Sequence, residues 1–288
     1  MTNPSVGPSS EMRELDAIGA GAHAQSRGSR AAPGRFERPG LFEFIAYVAA
    51  LAFFIVSLSG TEWSFIAFIE GIPNLMTFLS EAFPPSLKRA EQVSWALLET
   101  FQMAFVGTVM GVILSLPLAI LAARTLTPSR WIQGGARSII ALARTVPDLV
   151  WALIFVIMVG LGPFAGTLAI MVDTIGFCAR FFAEAMEEVD QGPQEALTAL
   201  GARKSGTVFS AVLPAAMPSF INTSLFALEK STRSSVILGL VGAGGIGIEL
   251  KVSMDMFEYA EAATIILSIF FLVLLVERVS SHMRRKII

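Results

Sequence analysis

A charge inside a long apolar segment is costly and is therefore a functional candidate, and three such residues stand out in this 288-residue chain. Arg144 and Asp148 are four residues apart, so one helix face would bring them together as an ion pair. Asp173 has no obvious partner in sequence, and we expect it to bond to Arg144 or to a hydroxyl group. The Arg144–Asp148 pair is consistent with a structural role and equally with a place along a polar pathway.

Two cations, Lys230 and Arg233, lie just outside another apolar segment. Hydroxyl side chains accompany them in sequence: Ser231, Thr232, Ser234 and Ser235. Cations together with hydroxyl donors are suited to the passage of an oxyanion. The alternative is an ordinary exposed loop in which the cations pair with Glu229.

The residues that most often carry covalent chemistry are scarce and dispersed. The two histidines, His23 and His282, lie near opposite ends of the chain, and the single cysteine, Cys178, lies within an apolar run. The sequence thus offers no constellation for a catalytic residue or a metal ion. We expect neither an enzyme activity nor a metal or other cofactor in this chain.

The segment from Gly242 to Gly247 satisfies the G-x-G-x-x-G pattern of dinucleotide-binding proteins. That pattern binds a pyrophosphate in a soluble strand–turn–helix unit, whereas here it lies between apolar segments. We interpret Gly242, Gly244 and Gly245 as residues that allow close backbone approach, so that helices or a re-entrant loop can pack and shift at the outer end of a pathway. A purely structural packing seam is the alternative.

The composition is that of a membrane protein, with 54% hydrophobic residues, 15% charged residues and a mean hydropathy of +0.66. A net charge of −2 with dispersed basic residues argues against a nucleic-acid partner. Six segments are long and apolar enough to span a bilayer. They are Leu41–Ser59, Trp95–Ala123, Ser138–Val159, Phe164–Phe182, Ala211–Leu228 and Ala260–Val276. The sequence therefore predicts an all-α integral membrane protein, a polytopic bundle of about six transmembrane helices in contact with lipid.

Basic residues flank these segments unequally and favour an orientation with both termini in the cytoplasm. Residues 1–40, rich in Gly, Ala, Ser, Pro and Arg, are predicted to form a disordered cytoplasmic tail, and residues 281–288 a basic cytoplasmic C-terminus. Residues 41–94 would hold the first transmembrane helix and an outer amphipathic segment. Residues 95–280 would form the main transmembrane domain.

The outer amphipathic segment has apolar residues at helical spacing. They are Phe65, Phe68, Ile69, Ile72, Leu75, Leu79 and Phe83. The pattern predicts a helix that either lies on the membrane surface or packs against the bundle.

A polar segment at about residues 190–206, here named the coupling loop, falls on the cytoplasmic side in this orientation. We expect a short helix with Gly192 as N-cap, Pro193 at the first helical position and Glu195 near the positive helix end. Its apolar face is small: Ala196, Leu197, Ala199 and Leu200. Such a face suits docking into a groove on another protein better than packing in a deep core.

The coupling loop resembles the E-A-A…G…L-P loop of ABC importer permeases through Glu195-Ala196, Gly201 and Leu213-Pro214. In that family the loop forms a coupling helix that sits in a cleft of a cytoplasmic ATPase. Leu197 and Ala211 depart from the family pattern, in which Ala and Ile are usual. The resemblance implies the following ATPase-contacting residues: Glu195, Ala196, Leu197, Leu200, Gly201 and Arg203.

The segments Arg144–Gly166 and Leu238–Leu250 resemble those of phosphonate-type permeases, relatives of the methionine-type importers. The resemblance implies a homodimer in the cell membrane that imports a phosphonate, phosphate or similar oxyanion. It also implies two copies of a P-loop ATPase, which bind ATP and Mg²⁺, and an extracytoplasmic substrate-binding protein. The segment Gly201–Gly206 begins like a P-loop, but Thr207-Val208 replace the residues that would hold phosphate and Mg²⁺, so the energy must come from a partner.

Residues at or near the polar pathway in this interpretation are Arg144, Asp148, Asp173, Lys230, Arg233, Gly242, Gly244 and Gly245. Three alternatives stay open. The first is an importer permease whose cargo is methionine or another small solute. The second is an ATPase-independent secondary carrier or channel with Arg144, Asp148 and Asp173 as its ion-coupling charges, and the third is a membrane enzyme.

Overall fold

The computed structural model describes residues 40–127 and 129–287, and every regular element in those ranges is helical. The predicted N-terminal tail lies outside the described residues, apart from Gly40. In chain order the α-helices are α1 Leu41–Gly60, α2 Phe65–Ala82, α3 Ala90–Ala122, α4 Arg130–Thr145, α5 Asp148–Val159, α6 Pro163–Glu187, α7 Gln191–Ala199, α8 Lys204–Thr207, α9 Leu213–Leu240, α10 Ile246–Asp255 and α11 Tyr259–Ile287.

Five helical stretches are long and apolar enough to cross a membrane, and a bent pair of helices could supply a sixth crossing. The five are α1, α3, α6, the continuous run from α8 to α9, and α11. Each matches a segment that the sequence predicted. The prediction of an all-α polytopic membrane protein is therefore confirmed.

The third predicted span, Ser138–Val159, is wrong as a single helix. Helices α4 and α5 meet at a 92° bend, with Val146 extended at φ −81° and ψ 123° and Pro147 acting as the N-cap of α5. Proline disfavours the helical conformation of the residue before it and has no N–H to donate. The N–H of Leu149 instead bonds to the Asp148 carboxylate at 2.9 Å, so α5 starts as a separate helix.

Helix α6 packs along α3 and also contacts α4, α5 and α9. Small residues permit the close approach of α3: a Cβ atom on Gly107 would lie 2.7 Å from Ile170, and one on Gly111 2.6 Å from Thr174. These pairs show that α3 and α6 run in the same direction. On its other side α6 runs antiparallel to α9, and the rings of Phe182 and Phe220 lie 4.5 Å apart between them.

Helix α9 does not end at Leu228, as the sequence predicted, but at Leu240. It continues directly from α8 through a π-helical turn at Val208–Val212, just before Pro214. Hydroxyl groups in the part of α9 beyond Leu228 donate hydrogen bonds to the backbone of the same helix, for example Thr232 to Leu228 O at 2.8 Å. The charged residues of α9 after Leu228 form ion pairs, as described below, and the helix continues past Leu228 with these charges paired.

The described residues fall into two compact units, which divide within α2 after Ile69. The predicted helix over the outer amphipathic segment is confirmed, because α2 forms with Pro73 inside it. Within the second unit, the rings of Phe78 on α2 and Tyr259 on α11 make an edge contact with centroids 5.0 Å apart.

Candidate translocation pathway and coupling loop

Helix α7 starts two residues before the predicted position. Its N-cap is Asp190, whose carboxylate accepts the N–H of Gly192 at 3.1 Å, so Gly192 is the second helical residue and not the cap. Asp is a better N-cap than Gly because its side chain satisfies a free N–H of the first turn. Glu195 consequently lies two residues farther from the helix start than expected, at the fifth helical position instead of the third.

The C-terminus of α7 is closed by Gly201. Its φ is +84°, its N–H donates to Thr198 O at 2.9 Å, and the N–H of Ala202 donates to Leu197 O at 3.0 Å. This pair of bonds is the Schellman motif, which uses a left-handed residue to satisfy the last carbonyls of a helix. The backbone of the coupling loop is therefore defined from within the loop at both helix ends.

The side chains of the coupling loop face outward. Glu195, Ala196, Gly201 and Arg203 are exposed, and Leu197 is half-buried. Leu200 is 85% exposed, which is unusual for a leucine next to polar residues and costly in water. A short helix that is capped at both ends and exposes a leucine has the properties of a segment that binds in a groove of another protein.

The outward face of α9 is polar in its middle. The residues at helical spacing on this face, here named the α9 face, are Asn222, Phe226, Lys230, Arg233 and Ile237. The side chain of Arg233 is 53% exposed and that of Lys230 is 37% exposed. Charged side chains do not face lipid hydrocarbon at low cost, so this face requires a protein or aqueous neighbour. The sequence prediction that both cations lie in a loop after the span is wrong.

Lys230 is the partner of Asp173. Its Nζ atom lies 2.8 Å from each carboxylate oxygen of Asp173 on α6 and 5.4 Å from the ring centroid of Phe177. The expectation that Asp173 would bond to Arg144 or a hydroxyl is therefore wrong. The partner lies 57 residues away in sequence and is brought close by the antiparallel packing of α6 and α9.

Glu229 is buried and holds two arginines. Its carboxylate lies 2.6 Å from Arg233, one turn along α9, and 3.3 Å from Arg284 on α11. The Glu229–Arg233 pair was the predicted alternative, but it lies within α9 and not in an exposed loop. The Arg284 partner was not predicted, because no local signal in the sequence points to it.

Arg144 and Asp148 do not form the predicted pair, because the bend at Pro147 separates them. No ion pair in the described residues includes either side chain, and the Asp148 carboxylate bonds to the start of α5. Arg144 lies in the last turn of α4, beside Arg137 and Arg180. Its surroundings are a separate pocket and not the α9 face.

The predicted glycine segment forms a turn, Val241–Gly245, between α9 and α10, here named the glycine turn. Gly242, Gly244 and Gly245 have φ of +88°, +90° and +77°. Glu99 accepts the N–H of Gly245 at 2.8 Å, and Thr100 accepts that of Ile246 at 2.7 Å. Glu99 was not among the predicted site residues, although a carboxylate inside a predicted span is a usable signal.

The comparison with known protein families matches residues 115–287 to the family described as "Binding-protein-dependent transport system inner membrane component". The chain belongs to this family. It is thus the membrane-spanning permease subunit of an ABC importer and not an enzyme, and the several apolar helices agree with an inner-membrane component.

Two named relatives support the membership of this permease in the family. The putative phosphite transport system permease protein HtxC of Stutzerimonas stutzeri is 36% identical over 236 residues, which are 80% of this chain and 83% of that protein. The phosphate-import permease protein PhnE of Mycolicibacterium smegmatis is 40% identical over 193 residues, which are 67% of this chain and 36% of that longer protein.

A solved structure shares the fold of the permease. The MetNI methionine ABC transporter in an inward-facing conformation includes a chain that superposes with a TM-score of 0.62 at 23% identity, over 70% of this chain and 99% of that one. The helical arrangement of this chain is therefore a known permease fold.

Proposed function

We propose that this permease subunit imports a phosphorus oxyanion, such as phosphite, phosphate or a phosphonate, along a pathway between two copies of the chain. The observation that carries the proposal is the α9 face, where Arg233 is exposed and Lys230 is partly exposed within a membrane-spanning helix. Both cations offer hydrogen-bond donors to an anion. Relatives named for phosphite and phosphate transport give the cargo class independent support.

A second copy supplies the cover that the α9 face needs. Two-fold symmetry would place the same face opposite itself, so four cations would line one route while the outer surface stays apolar. Asp173 and Glu229 keep these cations paired in the absence of cargo. An oxyanion on the route competes with the two carboxylates for Lys230 and Arg233, which favours transient binding over tight binding.

The coupling loop docks a cytoplasmic ATPase, which binds ATP and Mg²⁺ in place of this chain. Closure of two ATPase copies would move both coupling loops and, through the continuous α8–α9 run, the α9 faces as well. An extracytoplasmic binding protein delivers the cargo, and both termini of the permease lie in the cytoplasm. Exposure of Leu200 and the closed backbone of α7 support this assignment.

Uptake in cells tests the proposal. Cells without their own phosphorus importers would express the full chain with its partner ATPase and binding protein, and accumulation of labelled phosphite, phosphate and methylphosphonate would be compared with that of methionine. We expect uptake of at least one oxyanion and competition by the others. Lys230→Met with Arg233→Met should reduce oxyanion uptake at least tenfold while the complex still assembles.

The matched control is Lys251→Met, which removes an exposed cation on α10 that lies outside the α9 face. It should leave uptake unchanged. Methionine uptake without oxyanion uptake, or full oxyanion uptake by the double variant, would contradict the proposed cargo and pathway. Uptake that does not need the ATPase would instead favour a secondary carrier.

A further inference from the structure

Four arginines surround a pocket at the end of α6 that precedes the coupling loop. The cavity has a volume of about 260 Å³ and lies between α4, α6 and the end of α3. The charged residues that line it, here named the arginine pocket, are Arg124, Arg137, Arg144, Arg180, Glu184 and Glu187. Four arginines and two glutamates line this pocket, so it carries an excess of positive charge.

The two carboxylates are already engaged. Glu187 accepts from the Arg137 guanidinium at 2.7 Å and from the Arg124 backbone N–H at 2.7 Å. Glu184 pairs with Arg180, one turn away on α6. Among the ion pairs of the described ranges, none includes the guanidinium group of Arg124 or Arg144. The uncompensated charge of the arginine pocket therefore resides on these two residues.

Parts of the arginine pocket are held in place by packing and by the backbone. Arg137 also donates from Nε to Ala122 O at 2.9 Å, which ties it to the end of α3. The stem of Arg144 lies against Gly176, where a Cβ atom would come within 2.9 Å of the Arg144 Cγ atom. Because Gly176 has no side chain, Arg144 can lie along α6 toward the pocket.

We propose that the arginine pocket binds a phosphate group. Arginine presents a planar fork of N–H donors that matches phosphate oxygens, and two unpaired forks suit a group with one or two negative charges. The cavity is slightly smaller than the roughly 300–1,000 Å³ pockets that hold drug-sized ligands. Its size therefore suits a lipid headgroup or a small anion.

A phosphate group can reach the arginine pocket from two sources. One source is an anionic phospholipid, because α4 presents apolar side chains beside its arginines, including Trp131 at 91% exposure and Leu142 at 60% exposure. Basic pockets between transmembrane helices are known to bind lipid headgroups. The other source is a free phosphate or phosphonate at the end of the bundle that carries the coupling loop. None of the pocket residues belongs to the α9 face, so the inference does not depend on the proposed cargo.

The test compares the full chain in nanodiscs of phosphatidylcholine alone with nanodiscs that also contain phosphatidylglycerol. Native mass spectrometry counts phosphatidylglycerol retained after transfer to mild detergent, and the thermal midpoint in phosphatidylcholine is measured with and without inorganic phosphate. The variant is Arg124→Gln with Arg144→Gln. The control is Arg130→Gln, an exposed arginine on α4 outside the pocket.

A lipid source predicts at least tenfold lower phosphatidylglycerol retention in the double variant and wild-type retention in the control. A free-anion source predicts that phosphate raises the midpoint of the wild type and the control but not of the double variant. If the double variant does not fold, Arg144→Lys is tested instead. This variant keeps the positive charge but lacks the planar set of guanidinium N–H donors, so it should bind the phosphate group severalfold more weakly. The proposal is overturned if the double variant matches the wild type both in phosphatidylglycerol retention and in the effect of phosphate on the thermal midpoint. It is also overturned if the control loses binding as much as the double variant.

Discussion

The glycine turn and the coupling loop lie at opposite ends of the α8–α9 run, and both depend on glycines for different reasons. A Cβ atom on Gly247, just after the glycine turn, would lie 2.8 Å from the Gly239 Cα atom and would also meet the backbone carbonyl of Val236. A Cβ atom on Gly201, in the coupling loop, would meet no other described atom within 4 Å. Glycine is required at position 247 because a side chain would collide with neighbouring backbone atoms, whereas it is required at position 201 because the backbone there has a positive φ.

The difference indicates which end of the run is rigid. The glycine turn packs against backbone atoms at the start of α6 and donates hydrogen bonds to two side chains of α3, so its geometry is fixed by its neighbours. The coupling loop is fixed by its own caps and leaves its surface to a partner. Such an arrangement would let the loop move as a unit relative to the packed glycine turn.

The strongest test of the packed end is Gly247→Ala. The added methyl group would collide with backbone atoms, which cannot rotate away, so we expect a loss of stability of about 3 kcal/mol. The thermal midpoint of the full chain in mild detergent measures it. The control is Gly135→Ala on α4, where the structure has no described atom within 4 Å and alanine should be neutral or stabilising. Equal midpoints for the two variants would contradict the packing argument.

The helix between the two ends is tested by a double-mutant cycle on Lys230 and Asp173. Either Lys230→Met or Asp173→Leu leaves a partly buried charge without its partner and should cost about 2 kcal/mol, while the double variant should cost less than the sum. Thermal midpoints of the four proteins in one detergent give the coupling energy. A coupling energy near zero would show that the 2.8 Å contact does not stabilise the helix pair.

The dihedral requirement at Gly201 is tested by a pair of substitutions. Gly201→Val places a β-branched residue at φ +84° and should cost about 1–2 kcal/mol, whereas Gly201→Asn should cost only a few tenths because asparagine tolerates this region. We expect ATP-driven uptake to fall with valine and to survive with asparagine. Equal loss with both residues would indicate that the ATPase contacts Gly201 itself.

The spans were predictable from hydropathy, but the proline effects were not. Pro117 and Pro218 stay inside α3 and α9, whereas Pro147 separates α4 from α5. A proline in a span breaks the helix only where neighbouring groups do not compensate for its missing N–H, and this compensation is a tertiary property. Asp148 directly after Pro147 was a readable sign of a new helix start, since acidic residues favour the first turn.

The pairing of charges was the least predictable feature of the pathway. The four-residue spacing predicted an ion pair between Arg144 and Asp148, but the bend at Pro147 separates the two side chains. Asp173 and Lys230 could be matched only after α6 and α9 were known to be antiparallel and in register. The short helix of the coupling loop was predicted to within two residues because helix caps and a closing glycine act locally, although the N-cap is Asp190 and not Gly192.

The smallest effect on stability is expected at Leu200, and this sharpens the contrast with Gly247. Since its side chain is 85% exposed, Leu200→Ser should change the stability of the isolated chain by less than about 0.5 kcal/mol. Removing an apolar anchor from a docking surface should nevertheless weaken the complex with the ATPase about tenfold. Co-purification at matched expression measures it, with Thr198→Ser, an exposed neighbour on α7, as the control. An unstable Leu200→Ser chain would show that the leucine packs within the permease, and unchanged co-purification would place the ATPase contact elsewhere on the loop.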